Sequence, residues 1–191
     1  MENAYLSASA VFLVKTLFDL YIGALLLRFL LQLVRADFRN PFSQFLVKIT
    51  NPVVIPLRRV IPGMGGMDMA SLLMVLVLQG LKMLLLAVIA GRLPSVAGWL
   101  VLSLADLIEL LLTLYTATLI LQVILSWVAQ GAYNPLANVL HVLNEPLLSP
   151  VRRLIPAIGG FDLSPIGVLI VFQLLRILLV APLTDFGRSL G

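Results

Sequence analysis

Four long apolar stretches most constrain what this chain can fold into. They run from about Ser9 to Val34, Leu72 to Ala90, Ala97 to Val128 and Ile166 to Pro182. Each is close to or longer than the roughly 20 residues that a helix needs to cross a bilayer core. Hydrophobic residues make up 61% of the chain and charged residues 12%, so a polar surface cannot cover these stretches in water. We therefore predict an all-α membrane protein with four transmembrane helices.

The third stretch is longer than one crossing requires. We assign residues 105–128 to the span and expect Ala97–Leu104 to lie in the membrane interface or to extend beyond it. The other predicted spans cover residues 9–34, 72–90 and 166–182. The first is expected to be a retained helix, because the residues before it have no basic region and no small-residue cleavage site follows, unlike a signal peptide.

Basic residues indicate an orientation. The two longer connections between spans carry seven, whereas the other side of the predicted membrane has only Arg92 and Arg188. By the positive-inside rule, both long connections face the cytoplasm and both termini lie outside.

The composition also excludes several kinds of site. The chain has no cysteine and one histidine, His141, so disulfides, thiolate metal sites and multi-histidine metal sites are excluded. The glycine-rich segment at 63–68 lacks both a preceding strand and a phosphate-binding lysine. We predict no catalytic residue, no metal site, no cofactor and no nucleic-acid partner.

A gapless duplication divides the chain into predicted repeats at residues 1–94 and 95–191. Asn40-Pro41 recurs as Asn134-Pro135, 94 residues later. Each repeat holds two spans, an even number, so the repeats share one orientation about an axis along the membrane normal. The same offset relates Pro52 to Pro146, Pro56 to Pro150, Arg58-Arg59 to Arg152-Arg153, Gly65-Gly66 to Gly159-Gly160, Asp68 to Asp162, Gln79 to Gln173 and Lys82 to Arg176.

Each long connection has its own pattern. Asn40-Pro41 is typical of a helix N-cap followed by proline at the first helical position, and the helical spacing of apolar residues from Phe42 to Ile49 predicts a short amphipathic interfacial helix. We expect it to end at Asn51-Pro52, and its counterpart at Glu145-Pro146, because the next segments are proline-rich. Those segments are expected either to dip into the bilayer or to lie in the interface, with their arginine pairs at the level of the lipid phosphates. The turn formed by Gly65, Gly66 and Asp68, or by Gly159, Gly160 and Asp162, then opens the next span.

The paired block NPF/NPL…P…P.RR.IP..GG.D, with the span before each copy, resembles the YggT family over nearly the whole chain. The resemblance implies a small multi-pass protein of bacterial or plastid membranes, here the bacterial inner membrane. It also implies roles in osmotic or ion homeostasis, or in assembling and organising membrane complexes. It brings no agreed biochemical mechanism.

Six charged residues fall in the outer half of the predicted bundle and sum to zero. We predict an interior ion-pair network joining the halves, with Asp19 and Glu109 as partners of Lys82 and Arg176. Two interpretations stay open: paired charges that dock the repeats, or a polar path or ion-sensing site. The six are Lys15, Asp19, Lys82, Asp106, Glu109 and Arg176.

The repeated arginine pairs, Arg58-Arg59 and Arg152-Arg153, are candidates for binding anionic lipid headgroups or a protein partner, although positive-inside anchoring would also explain them. We favour a non-enzymatic scaffold or assembly factor whose basic cytoplasmic face contacts lipid or partners. The alternative is an ion-conducting or osmotic-homeostasis protein that uses the intramembrane charges as a homo-oligomer.

Overall fold

The computed structural model describes residues 2–61, 63, 66–128, 134–155 and 162–190. All of its regular elements are helices. They are α1 (Glu2–Leu33), α2 (Pro41–Arg58), α3 (Met69–Ile89), α4 (Val96–Val128), α5 (Pro135–Leu154), α6 (Ser164–Leu175), a π-helical turn (Arg176–Val180) and α7 (Ala181–Ser189).

Four of these segments are long and apolar enough to cross a membrane: residues 5–33, 69–89, 96–128 and 164–189. The helix α1 packs mainly on α3, and α4 packs mainly on the continuous α6–α7 helix. The two helices α2 and α5 touch each other at one end of the bundle, which we call the α2/α5 end. The predicted architecture of two tandem repeats, each with two long helices and one amphipathic helix, is confirmed.

Two predicted helix boundaries were wrong. Helix α2 does not stop at Asn51-Pro52 but continues through Pro52 and Pro56 to Arg58, and α5 likewise continues through Pro146 and Pro150. An interior proline removes one backbone hydrogen bond and disfavours a helix by about 3 kcal/mol. Here the burial of side chains outweighs that cost, because one row of side chains along each helix stays packed against the bundle. Its equivalent members are Leu46, Thr50 and Val54 in α2 and Leu140, Asn144 and Leu148 in α5.

The third long helix includes the segment that was expected to lie in the interface or extend beyond it. Residues 97–104 continue directly into residues 105–128, and α4 runs unbroken from Val96 to Val128. Its first turns are packed: Trp99 donates from Nε1 to the Gly80 carbonyl at 3.0 Å, and Gly98 is buried beside Gly187 of α7. A segment with such contacts on two neighbouring helices belongs to the bundle.

The core consists of three buried apolar clusters. One joins α1 to α2 and α5 around Leu31 and Leu143, and a second joins α1, α2 and α3 around Ile22 and Val75. The third, around Leu119 and Phe172, lies within the second repeat. Burial is therefore densest where the amphipathic helices meet the long ones.

The contacts between the repeats are not symmetric. Helix α3 of the first repeat packs on α4 of the second, but the equivalent pair, α6 and α1, makes no contact within the described chain. The duplication thus gives similar repeats whose outer edges have different surroundings.

Candidate functional site

A lysine buried between three helices forms the centre of the first polar site. The Lys82 side chain is 0% exposed, and its Nζ lies 2.5 Å from Asp19 Oδ1 and in ion-pair contact with Asp106 Oδ2. Gln79 donates from Nε2 to Asp106 at 2.8 Å, and Lys15 lies 3.5 Å from the same carboxylate. We call these five residues the Lys82 cluster.

Helix register positions the cluster. Lys15 and Asp19 are one turn apart on α1, Gln79 and Lys82 are three residues apart on α3, and Asp106 projects from α4. Since residues three or four apart share a helix face, each helix presents its polar groups to one point. Two lysines and two aspartates make the cluster formally neutral, and Asp106 links the second repeat to the first. The arrangement can hold the repeats together.

A second polar group lies on the second repeat. Arg176 Nε lies 3.0 Å from Glu109 Oε1, and its Nη2 is 3.4 Å from the hydroxyl of Thr113 and 3.3 Å from that of Thr116. Glu109 occupies the position equivalent to Lys15, and Thr113 the position equivalent to Asp19. Each repeat therefore pairs a cation on its second long helix with a carboxylate on its first. The position of that carboxylate differs by one helical turn between the two repeats.

The structure places Lys82 against Asp19 and Arg176 against Glu109, as the sequence pairing proposed. It corrects the expectation of one network, because no ion pair links the two groups in the described part of the chain. Of these two groups, the Lys82 cluster is the one that joins the repeats, through Asp106, for which the sequence predicted no partner.

A second cluster lies at the α2/α5 end, where a carboxylate joins three helices. Asp68 caps α3 by accepting from the Ser71 amide and hydroxyl, at 3.3 and 2.6 Å. It forms an ion pair with Arg58 at the end of α2 and lies 3.8 Å from Arg28 of α1. Arg28 also donates to Thr50 Oγ1 at 2.6 Å. We call this arrangement the Asp68 clasp.

The second repeat holds a simpler clasp. Arg152 contacts Asp162 at 3.0 Å and also Glu145 at 2.9 Å. Gln122 stands where the first repeat has Arg28, and its Oε1 accepts from Asn144 Nδ2 at 2.8 Å. A neutral amide pair thus replaces the buried arginine, and the arginine at the end of α5 gains a second carboxylate.

These clasps divide the four candidate arginines. Arg58 and Arg152 are bound to carboxylates, so their first role is structural. Arg59 and Arg153 are exposed and form no ion pair with any described residue. Binding to lipid or a partner stays a prediction, and it now concerns Arg59 and Arg153.

Electrostatics differ between the two clasp carboxylates. Burial alone would raise the pKa of Asp68, but hydrogen bonds from Arg58 and Ser71 outweigh it and hold the pKa below its usual value. Burial also opposes ionisation of Asp162, and hydrogen bonds from Ser164 with the charge of Arg152 lower its pKa. Both groups therefore stabilise the fold in the ionised form.

The repeat turns are described in part. Gly66 has a φ of +81°, a left-handed conformation that favours glycine, and its carbonyl accepts from Gln32 Nε2 at 3.2 Å. Asp68 and Asp162 lie at the starts of α3 and α6, as expected. Gly65, Gly159 and Gly160 lie outside the described residues.

The sequence alone did not predict the roles of Arg28, Thr50 and Gln79. The replacement of Arg28 by Gln122 at the equivalent position, together with that of Thr50 by Asn144, was a signal that a polar contact is kept in both repeats. Among the described residues, no group of three or more His, Cys, Asp or Glu could hold a metal ion.

Comparisons with known proteins agree with the repeat. The CCB3/YggT family model matches twice, at residues 7–89 and 101–183, again offset by 94. An uncharacterized protein of Pseudomonas aeruginosa is 45% identical over 97% of each chain. An uncharacterized Vibrio alginolyticus protein encoded in the proC 3′ region is 48% identical over 90% of this chain and 93% of its own. The uncharacterized protein YggT of Escherichia coli is 41% identical over 94% of this chain and 93% of its own. No solved structure matches. The chain belongs to the CCB3/YggT family and carries the family's unit twice.

Proposed function

We propose that this chain is a non-enzymatic, multi-pass protein of the bacterial inner membrane that organises other membrane components through its α2/α5 end. That end faces the cytoplasm in this proposal, and both termini face outside. The four apolar helices support insertion into a bilayer, and the seven basic residues at one end support the orientation.

The observation that carries the proposal is an exposed arginine that forms no ion pair with any described residue and occupies the same position in each repeat. Arg59 and Arg153 occupy equivalent positions, directly after arginines that are fixed by Asp68 and Asp162. Each clasp therefore holds its neighbouring cation at a defined place near the start of the next long helix. An exposed guanidinium at headgroup level suits a phosphate, which it can bind through two hydrogen bonds.

Lipid retention tests this function. The protein would be extracted from membranes containing phosphatidylglycerol and phosphatidylcholine, and the lipids that stay bound would be counted by mass spectrometry. We expect the Arg59→Gln, Arg153→Gln double variant to retain less phosphatidylglycerol than the parent. Arg92→Gln, an exposed arginine at the opposite end, is the matched control and should retain it normally. Equal retention in all three proteins would reject headgroup binding.

The Lys82 cluster favours a second candidate, a role in ion or osmotic homeostasis. A lysine with two carboxylate partners at membrane depth is costly and often functional. Four spans enclose little space for a pore, so conduction would require an oligomer. Ion flux through liposomes holding the purified protein tests this candidate. Flux that is lost in Asp19→Asn or Glu109→Gln, with the fold intact, would support an ion pathway, whereas a parent protein without flux would exclude one.

A further inference from the structure

The asymmetry between the repeats leaves two matching edges without a neighbour. In the first repeat, two hydrogen bonds join α3 to α4. Gln79 Nε2 donates to the Ser103 carbonyl at 3.2 Å. Trp99 Nε1 donates to the Gly80 carbonyl. The offset of 94 transfers this contact to α6 and α1, which do not touch within one chain.

Both transferred faces are open. On α6 and the π-helical turn that continues it, the equivalents of Leu76, Gln79, Gly80 and Met83 are all exposed. On α1, the equivalents of Trp99, Ser103, Asp106 and Leu107 are exposed as well. The first set is Ile170, Gln173, Leu174 and Ile177, and the second is Tyr5, Ser9, Phe12 and Leu13.

Gln173 shows that the α6 face is not simply a lipid-facing surface. It is exposed between Ile170 and Ile177 and makes no hydrogen bond with any described residue, whereas its equivalent Gln79 is 1% exposed and donates twice. An unbonded amide at membrane depth is unfavourable, and polar side chains on such helices commonly bond to a neighbouring helix.

We propose that a second copy of the chain places the outer half of its α1 against α6 of the first, repeating between molecules the contact that α4 makes with α3 within one. Gln173 then donates to the Ser9 carbonyl of the other copy. Phe12 lies where Asp106 meets Lys82 and presents its ring to Arg176, a cation–π contact. Such a contact joins two different faces, so copies related by a closing rotation about the membrane normal form a ring, of which the dimer is the smallest.

The transferred contact has one difference from its template. Leu174 replaces Gly80, and Tyr5 replaces Trp99, so the closest approach between α3 and α4 is not reproduced. We therefore expect a wider contact near Leu174 and choose the Ser9–Gln173 pair to test it.

Cysteine cross-linking in membranes tests the inference directly, because the chain has no cysteine. Differently tagged Ser9→Cys and Gln173→Cys chains would be co-expressed and treated with a short thiol cross-linker. We expect a product joining the two tags, at least about tenfold more than Ser9→Cys forms with Val171→Cys, since cross-linking requires the two Cα atoms to be close. Val171 is exposed on another side of α6.

The controls make a negative result informative. A single chain with Gln79→Cys and Ser103→Cys should cross-link internally, which shows that the reagent works at this depth. Labelling of the Ser9→Cys, Val171→Cys and Gln173→Cys chains with a small maleimide shows that these three thiols are accessible. With both controls positive, absence of the 9–173 product overturns the inference. A cross-linked product that joins only identical positions would also overturn it, as would the mass of a monomer in lipid nanodiscs. The inference depends on membrane insertion but not on lipid binding. Failed phosphatidylglycerol retention would therefore leave it unaffected. A chain found in the soluble fraction would overturn both the proposed function and the contact between copies.

Discussion

Asp68 and Asp162 hold equivalent positions but differ in burial. The side chain of Asp68 is 2% exposed and that of Asp162 is 40% exposed. Asp68 serves three partners at once: the N-terminus of α3, Arg58 and the buried Arg28. Because this buried carboxylate contacts both arginines, its removal leaves the buried Arg28 without a charged partner.

We therefore expect unequal effects from the same substitution in the two repeats. Asp68→Asn should lower the free energy of unfolding by about 3–5 kcal/mol, the cost of breaking a buried pair on one side. Asp162→Asn should cost about 1 kcal/mol or less, as for exposed pairs. Unfolding by a denaturing detergent would measure both. Equal losses would show that Arg28 does not depend on Asp68.

The clasps also predict a dependence of stability on pH. Both carboxylates have a lowered pKa in the folded chain, so their stabilisation is complete above the unfolded pKa of about 3.9 and is lost as the pH falls through the folded value. Below about pH 4 the melting temperature of the parent should fall. Asp68→Asn should melt lower at pH 7 and lose less on acidification. Parallel pH curves for the two proteins would contradict this prediction.

Gly80 provides another test at the scale of one residue. A Cβ at this position would lie 2.6 Å from Cζ2 of Trp99, which is too close for any packed atom. Gly80→Ala should destabilise the α3–α4 contact by about 1–3 kcal/mol through overpacking, measured by thermal unfolding. Gly23→Ala is the matched control, because nothing lies within 4 Å of the added atom. Comparable losses in both variants would indicate a loss unrelated to Trp99.

A few polar contacts between the long helices determine how these helices pack. Apolar side chains gain little when they leave lipid for protein, so packing and polar contacts must specify the arrangement of helices in a membrane. In this bundle the Lys82 cluster joins α1, α3 and α4, whereas Arg176 joins only α4 and the π-helical turn.

Element packing predicts different consequences for the two ion pairs. Asp106→Asn should weaken the docking of the repeats, because Lys82 then has no ionised partner in the second one, and we expect a loss of about 1.5–3 kcal/mol, since Asp19 still pairs with Lys82. Glu109→Gln should cost less, since Thr113 and Thr116 still bind Arg176. Limited proteolysis between the repeats, together with unfolding, would separate loss of docking from loss of helix. A larger effect from Glu109→Gln would contradict the assignment.

At the scale of the whole molecule, charge and hydrophobicity are separated along the bundle. Arg59 and Arg153 are exposed at the α2/α5 end, and Arg92 is exposed at the opposite end. By the positive-inside rule, the number of basic residues at each end predicts the orientation proposed above.

Labelling from one side of the membrane tests that orientation. In intact cells, Arg92→Cys should react with a membrane-impermeant maleimide, and Arg59→Cys should react only after the membrane is opened. Both residues are exposed in the structure, so access depends on the membrane alone. The reverse result would invert the bundle and place the basic face outside.

The amino-acid sequence by itself determined the four long helices, the two tandem repeats, the capped starts of α2 and α5, and which charges are equivalent. Those properties are local or periodic: a run of apolar residues, an offset of 94, an asparagine before a proline. Only the tertiary structure decided that α2 and α5 continue through their prolines, because burial of one face outweighs the lost hydrogen bonds. It also decided that Lys82 binds Asp106 across the repeats, that Arg176 pairs within its own repeat, and that Asp68 is shared by Arg28 and Arg58. These outcomes depend on how helices distant in sequence cross, and equal spacing in two repeats does not give them equal neighbours.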